Sequence, residues 1–406
     1  MIKVGLNIGN SKLSCAVFEV KESHKYKLLS CESYPSQIIK KNLITNFDQL
    51  LHEIKNLINE SEKKSQTKIN SINLNIPTLS SISKYYDSKI EIANNEISEL
   101  DIKKAINKSD YFAVKEDYYE LYNNIYAYIL DNNLLINSPV GNYGQNLKLL
   151  FYKLLIPNKV IKSYKNIINK LNIKIDNFVP SPLSTALAVL SEDEKSIGSI
   201  CIDLGHSNTS ISIFENGNFI YGDSVLVGSN NITNDIARGV STTMDSAERL
   251  KTLYSSLITA PSDEYEIIEV PIISGETDKL VQVNRLKINS IVKPRVEETL
   301  EMIWQKLKQN NLHKKQIKNV VLTGGGSQLE GITQYAELIF SSNVRIGYPK
   351  EDLVFNESMK NSSFADVIGC SLFDPDIYLD KIIEKQGKKQ KKQGFRSFFN
   401  WLDQYI

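Results

Sequence analysis

The chain opens on a period of two. Ile2, Val4, Leu6 and Ile8 alternate with smaller or polar residues, Gly9-Asn10-Ser11-Lys12 interrupts them, and Leu13 to Val20 resumes. This predicts a β-hairpin with a polar, glycine-containing tip. The period then becomes helical: Phe47, Leu50, Leu51, Ile54, Leu57 and Ile58 share one face. Ile69 to Ile76 alternates again as a strand. Residues 81–160 carry shorter segments: a helix near Ser98 to Lys108, a Tyr-rich stretch from Tyr111 to Tyr128, and the turn segment Ser138-Pro139-Val140-Gly141-Asn142-Tyr143-Gly144. They read as a small inserted α+β domain. Helices are expected over Asn158–Leu171 and from Pro180 to near Leu190.

About 200 residues on, the opening pattern recurs. Ser199–Leu204 and Thr209–Phe214 read as strands around Gly205-His206-Ser207-Asn208, and the tight-turn pair Asn216-Gly217 leads to a third strand, Asn218–Tyr221. A repeated strand–turn–strand unit argues for internal duplication of one fold unit. Between Gly228 and Arg295 lie two helical segments and then strands at Tyr265–Ile273 and Leu280–Val283. Val296–Leu307 reads as a helix. The buried strand Val320-Val321-Leu322 ends in Thr323-Gly324-Gly325-Gly326-Ser327, with a helix expected from near Leu329.

From Lys381 the chain turns polar, with Lys388, Lys389, Lys391 and Lys392 in a Gln/Gly setting that reads as a flexible basic linker over 376–393. Residues 394–406 change character once more. At 100° per residue, Phe395, Phe398, Phe399, Trp401, Leu402, Tyr405 and Ile406 fall within about 160° of arc, and Arg396, Ser397, Asn400, Asp403 and Gln404 fill the other side. Such a helix is ~20 Å long, too short to span a bilayer but suited to lie in its surface. Its aromatic residues favour the interface, and the upstream lysines add roughly 1 kcal/mol each near anionic lipid. The alternative is a helix docked on its own domain, against which the loose tether argues.

Composition narrows the classes. At 406 residues, two or more domains are expected. The net charge of +1 gives no global attraction to nucleic acid, and no basic-aromatic interleaving supports it. Cys15, Cys31, Cys201 and Cys370 are scattered without a CxxC pair, which fits a reducing compartment rather than zinc or disulfides. The first residues lack a signal-peptide pattern and no apolar run reaches the ~18 residues of a membrane span, so a cytoplasmic protein with surface membrane contact is expected.

Three turns are candidates to cradle a nucleotide. The tips Asn10, Ser11, Lys12 and Gly205, His206, Ser207, Asn208 offer backbone N–H groups to phosphate. Gly324, Gly325 and Gly326 let a flat nucleoside press on the backbone, with the following helix adding positive potential. Asp203 is the candidate to hold magnesium through water. Asp245-Ser246-Ala247-Glu248 can form a capping box, which sets Glu248 and Lys251 on one helix face as an ion pair. No residue stands out as a general base.

With these motifs in this order, the chain resembles the actin-like ATPase superfamily and, within it, the FtsA family. Val4 to Lys12 is similar to the first phosphate motif and Asp203 to Ser210 to the second. Ser138 to Gly144 resembles a turn in the family's inserted subdomain, called 1C. Gly228 to Ala237, Ala247-Glu248-Arg249-Leu250-Lys251 and Leu322 to Ile332 are similar to further family stretches. The resemblance implies an actin-like, ribonuclease-H-like fold of duplicated mixed-sheet cores. Subdomain 1A would comprise 1–80 and 161–195, 1C 81–160, 2A 196–222 and 301–375, and 2B 223–300. It implies that Glu248 and Lys251 border the ribose and base, and that ATP and Mg²⁺ are the cofactors of an assembly protein rather than an enzyme. It further implies FtsZ, bound by its C-terminal tail on 2B, as a partner, along with self-association into polymers, other divisome proteins and anionic lipid. The place of action would be the inner membrane's cytoplasmic face at the septum. Two departures stand out: Asn7 where the superfamily usually carries an aspartate, and His206, Ser207 and Asn208 where the family prefers two further glycines and a threonine. The alternatives are a pilus-assembly protein or a metabolite kinase of the same fold.

Overall fold

The computed structural model describes residues 1–21, 26–40, 43–109, 117–131, 134–136, 138–271, 280–314, 317, 319–353 and 361–375. The expected linker over 376–393 and the helix of 394–406, with Phe395, Phe398, Phe399, Trp401, Leu402, Tyr405 and Ile406, lie outside them.

The first half is built from β1 (Ile2–Ile8), β2 (Lys12–Val20), β3 (Tyr26–Pro35), α1 (Phe47–Ser65), β4 (Ser71–Ile76), β5 (Ile82–Glu91), α2 (Glu99–Ser109), β6 (Tyr118–Leu130), β7 (Leu134–Ile136), β8 (Asn146–Pro157), α3 (Asn158–Asn169), β9 (Lys174–Pro180), α4 (Ser181–Val189) and α5 (Glu192–Ile197). The second half runs through β10 (Ser199–Leu204), β11 (Thr209–Glu215), β12 (Asn218–Val225), α6 (Ser229–Gly239), α7 (Met244–Tyr254), β13 (Ile267–Pro271), β14 (Leu280–Asn284), α8 (Arg285–Gln309), β15 (Asn319–Thr323), α9 (Ile332–Phe340), β16 (Asn343–Ile346) and α10 (Ala365–Leu372).

Two five-stranded sheets carry the same topology. One has the order β9-β4-β1-β2-β3, the other β16-β15-β10-β11-β12. In each, an antiparallel three-stranded meander continues into two parallel strands. The sequence duplication is therefore a structural one. Parallel strands need covered faces, and the covering helices follow the apolar stripes. On α1, Leu50, Ile54, Leu57 and Ile58 are buried, and Asn46 caps its start by accepting from Gln49 N at 3.1 Å. In the second half, Ile202, Ile211 and Leu322 share one core with Ile288, Val292, Leu300 and Ile303 of α8.

Three local expectations differ from the structure. α8 begins at Arg285, well before Val296, and passes through Pro294. The proline is exposed, so its ring and lost N–H fall on the solvent face, while Asn284 starts the helix by accepting from Lys287 N at 3.0 Å. α7 is capped by Thr243, which accepts from Ser246 N at 3.2 Å, and not by Asp245, which sits in the first turn. After the glycine run, a single 3₁₀ turn over Gly325–Gln328 precedes α9, which starts only beyond Gly331.

By packing, the chain divides into two units. Among the described residues, the larger lies within Met1–Asp87, Asp110–Tyr126 and Leu150–Phe373, and the smaller within Ser88–Ser109 and Ala127–Leu149. A four-stranded sheet of order β5-β8-β6-β7 belongs to the inserted region. Within the smaller unit, Ile92, Ile97, Ile102, Tyr128, Leu130 and Leu147 are buried. Its turn segment is pinned by Ile97 N to Asn142 O and Gly141 N to Ile97 O, each 2.9 Å, and Gly141 takes a φ of 80°.

Arg345 on β16 clamps α5. Its Nε and Nη2 donate to the two carboxylate oxygens of Glu194 at 2.6 and 2.7 Å, and Nη2 also donates to Val189 O at 2.9 Å. Burial pushes the Glu194 pKa up, but the guanidinium and the Ser191 cap outweigh it and hold the carboxyl below its usual range. Arg345→Lys is expected to cost about 1 kcal/mol, because an ammonium cannot reproduce the fork. That cost should shrink as pH falls through the depressed folded pKa, where the carboxylate is protonated and its stabilisation is lost in both proteins. Urea denaturation at neutral and acid pH measures it.

Candidate functional site

The two hairpin tips are built alike. Gly9 N donates to Lys12 O at 3.1 Å and Gly205 N to Asn208 O at 3.1 Å. A Cβ at either glycine would meet that same carbonyl oxygen at 2.8 or 2.7 Å, so the tight tips require glycine. Among the described residues, the backbone N–H groups of Ser11, His206, Ser207 and Asn208 have no acceptor. Open backbone donors at a loop tip are suited to anions.

Asp203, one residue before the end of β10, is paired in register with Ser210 on β11 and Thr323 on β15. Gly324 follows Thr323 with a φ of 82°, and a Cβ there would lie 2.1 Å from Asp203 Oδ1. Gly324 is thus fixed by backbone conformation and by the carboxylate against it. Gly326 packs on Leu204, whose carbonyl oxygen a Cβ would meet at 2.9 Å. Gly325 alone of the three has room, the nearest atom being Ser363 Cβ at 4.0 Å.

The segment before α10 completes this floor. Ser362 Oγ donates to Gly324 O at 2.9 Å. Lys12 Nζ donates to Ser363 O at 2.5 Å and to Ser363 Oγ at 3.1 Å, and lies 4.2 Å over the Phe364 ring. Asp366, in the first turn of α10, accepts from Asn7 Nδ2. Asp203 accepts no hydrogen bond from any described residue. Burial first, then the charge of Asp366, push its pKa up to about 7 against the pull of Lys12. Asp366 is also raised by burial, opposed by Lys12 and by the hydrogen bond from Asn7.

A second group lies at α6 and α7. Lys251 Nζ donates to Glu248 Oε2 at 2.7 Å and to Thr233 Oγ1 at 2.9 Å, while Thr233 Oγ1 donates to the same Glu248 oxygen at 2.6 Å. Burial raises the Glu248 pKa, but these donors prevail and hold it low. Burial, together with the charge of Lys251, lowers the His206 pKa, so its imidazole is neutral near pH 7. The first N–H groups of α6 are already used: Ser229 N donates to Gly205 O at 2.9 Å and Asn230 N to His206 O at 2.8 Å.

Of the sequence candidates, Lys12, Asp203 and Gly324 meet at one floor. Glu248 and Lys251 pair on one face of α7 and sense His206, while Asn10, Ser11, Ser207 and Asn208 form the tips. Sequence reasoning missed Asp366, and it missed that Asn7 holds it. An acid at the start of an apolar helix reads as a partner of the helix dipole, so the pattern alone gave no other signal.

This topology is that of an actin-like fold. Solved structures sharing it include the PilM-PilN type IV pilus biogenesis complex, with TM-score 0.61, 14% identity, and coverage of 94% of this chain and 98% of that one. MreB5 of Spiroplasma citri bound to ADP matches with TM-score 0.55, 13% identity, and coverage of 95% and 99%. The particular family is given by sequence. The model described as "Cell division protein FtsA" matches residues 200–369, and that of the "SHS2 domain inserted in FTSA" matches 81–152, together more than half of the chain. The cell division protein FtsA of Agrobacterium fabrum is 28% identical over 94% of this chain and 88% of its own length. That of Escherichia coli is 22% identical over 98% and 97%. The chain belongs to the FtsA family of actin-like cell-division proteins.

Proposed function

We propose that the chain is an ATP-binding assembly protein that ties FtsZ filaments to the cytoplasmic face of the inner membrane at the division septum. The observation that carries the nucleotide half is the convergence of Lys12, Asp203 and Gly324 beside two tips with open N–H donors. The residues fit a magnesium nucleotide. Ser11, Lys12, His206, Ser207 and Asn208 would hold the phosphates, Gly325 offers room to a flat group, and Glu248 and Lys251 would border the nucleoside. Asp203, whose carboxylate lacks a hydrogen-bond donor among the described residues, would orient water around Mg²⁺. The cation would neutralise phosphate charge. Among the described residues, no cluster of three or more His, Cys, Asp or Glu forms a protein cage for a metal, which suits a cation kept in its water shell. Among the described residues, no carboxylate beyond Asp203 and Asp366 is brought to this floor to act as a base, which favours binding and assembly over rapid turnover.

The membrane half rests on the complete split of apolar and polar residues over 394–406. Among the described residues no helix is long and apolar enough to cross a membrane. Residues 223–300 are the proposed receiver of the FtsZ tail, and 81–160 contribute to head-to-tail self-association. Co-sedimentation with anionic vesicles is expected to pellet most of the full chain, and removal of 394–406 is expected to leave it in the supernatant. Equal pelleting would remove the tether from this reading. Millimolar ATP with Mg²⁺ giving no calorimetric signal would remove the nucleotide.

A further inference from the structure

We propose that Asp366 is the second carboxylate of the phosphate cleft, brought there by Asn7, and that together with Asp203 it holds the water shell of the divalent cation that accompanies the nucleotide. This rests on the nucleotide-binding reading above.

The duplicated hairpins make the comparison internal. Two residues before each tip glycine stand Asn7 and Asp203, and five after it stand Ser14 and Ser210. In each hairpin the two face one another in register, Asn7 with Ser14 and Asp203 with Ser210. Directly opposed residues of an antiparallel pair lie on the same face of the sheet. The second hairpin therefore brings its own carboxylate to the floor, and the first brings an amide in the same place.

That amide is fixed at both ends. Asn7 Oδ1 accepts from Asn75 Nδ2 at 3.0 Å, and Asn75 Oδ1 in turn accepts from Ser184 Oγ at 3.0 Å. Asn7 Nδ2 is left to donate, and it donates to Asp366 Oδ2. Asn7 is buried, so this orientation is enforced by the cost of an unpaired amide. A carboxylate from α10 is thus seated where the first hairpin lacks one.

Two further groups point to a ligand at the same place. Ser14 Oγ and Ser210 Oγ are buried, with residue exposures of 0% and 2%, and neither has a hydrogen-bond partner among the described residues. Buried hydroxyls without partners are uncommon and call for water, an ion or a ligand oxygen. They recur at equivalent positions of both hairpins, each beside one member of the Asn7–Asp366 and Asp203 set. Two carboxylates held near one another repel. Lys12, the cation of this floor, already donates its ammonium to Ser363 O and Oγ. A hard cation coordinated by water and phosphate, flanked by one or two carboxylates, satisfies all of these groups together.

The test is ADP and ATP affinity by calorimetry on the full chain, in MgCl₂ and in EDTA. In the wild type, Mg²⁺ should strengthen binding at least about tenfold, a change of about 1.4 kcal/mol. Asp366→Asn should lose most of that gain, read as the ratio of the variant's own affinities in MgCl₂ and in EDTA. The double variant Asn7→Asp/Asp366→Asn returns the carboxylate to β1 and keeps an amide–carboxylate pair, so it should recover the gain and also keep the native melting temperature. Asp366→Asn with the full wild-type Mg²⁺ gain overturns the inference, as does a wild type that binds nucleotide equally in EDTA and MgCl₂. A wild type that binds no nucleotide in either buffer overturns the nucleotide reading itself, and this inference with it.

Discussion

Gly369→Ala is expected to destabilise the protein by about 3 kcal/mol, among the largest effects a single methyl can have. A Cβ at this position of α10 would lie 1.6 Å from Ser184 O and 2.6 Å from Ser184 C on α4, and 3.2 Å from Ala188 N. All three are backbone atoms of a helix, which cannot swing aside as a long side chain can. α10 has no freedom on its other side either. Gly5 of β1 packs against it so closely that a Cβ there would meet Val367 O at 2.5 Å and Ser371 N at 2.7 Å. The helix is thus held between a strand and a helix by two glycines, and the methyl can be housed only by displacing α10. Gly325→Ala is the control, since its new Cβ would find nothing nearer than 4.0 Å. Chemical denaturation should separate the two variants clearly. A loss below about 1 kcal/mol for Gly369→Ala would mean that α4 and α10 part without cost. Because α10 carries Asp366, the same displacement should disturb the cleft before the chain unfolds.

That close packing explains what could be read in the sequence and what could not. Both hairpins, their glycine tips, most helices and the duplication follow from local periodicity, because burial of one face is written into each element's own residues. Gly9 and Gly205 were legible for the same reason, since their role is a turn within consecutive residues. Asp366 was not. Its partners Asn7, Lys12 and Asp203 lie more than 150 residues away in the chain, and only the tertiary fold brings them together. The start of α8 escaped for the opposite reason, because Pro294 lies inside it. Taken locally a proline ends a helix, but on the exposed side of a long helix whose other face is deeply buried, packing outweighs the lost hydrogen bond. The Asp245 capping box failed because Thr243, two residues earlier, offered an equally good hydroxyl.

The same cleft should make the ligand-free protein less stable as pH rises. Asp203 is raised to about 7, chiefly by burial and secondly by Asp366, whereas in the unfolded chain its pKa returns to an ordinary value near 4. Between those values the folded state holds more protons at this position than the unfolded state. The free energy of unfolding therefore falls as pH rises through that window and levels off above about pH 7. The full shift would correspond to about 4 kcal/mol. Asp203 is partly accessible to solvent, and screening brings the expected loss to on the order of 2 kcal/mol. Asp203→Asn should abolish this contribution, leaving the variant more stable than the wild type at pH 8 in EDTA and no more stable at pH 5. Asp366→Asn should flatten the slope only in part, because the larger cause at Asp203 is burial and not its neighbour. Urea titrations across this range in chelator measure the difference, and parallel wild-type and Asp203→Asn curves would exclude a strained carboxylate at this floor. The strain has a functional sense: a site that is uncomfortable when its acids are ionised and alone gains most from the cation that separates them, so folding stability and magnesium nucleotide binding draw on the same two side chains.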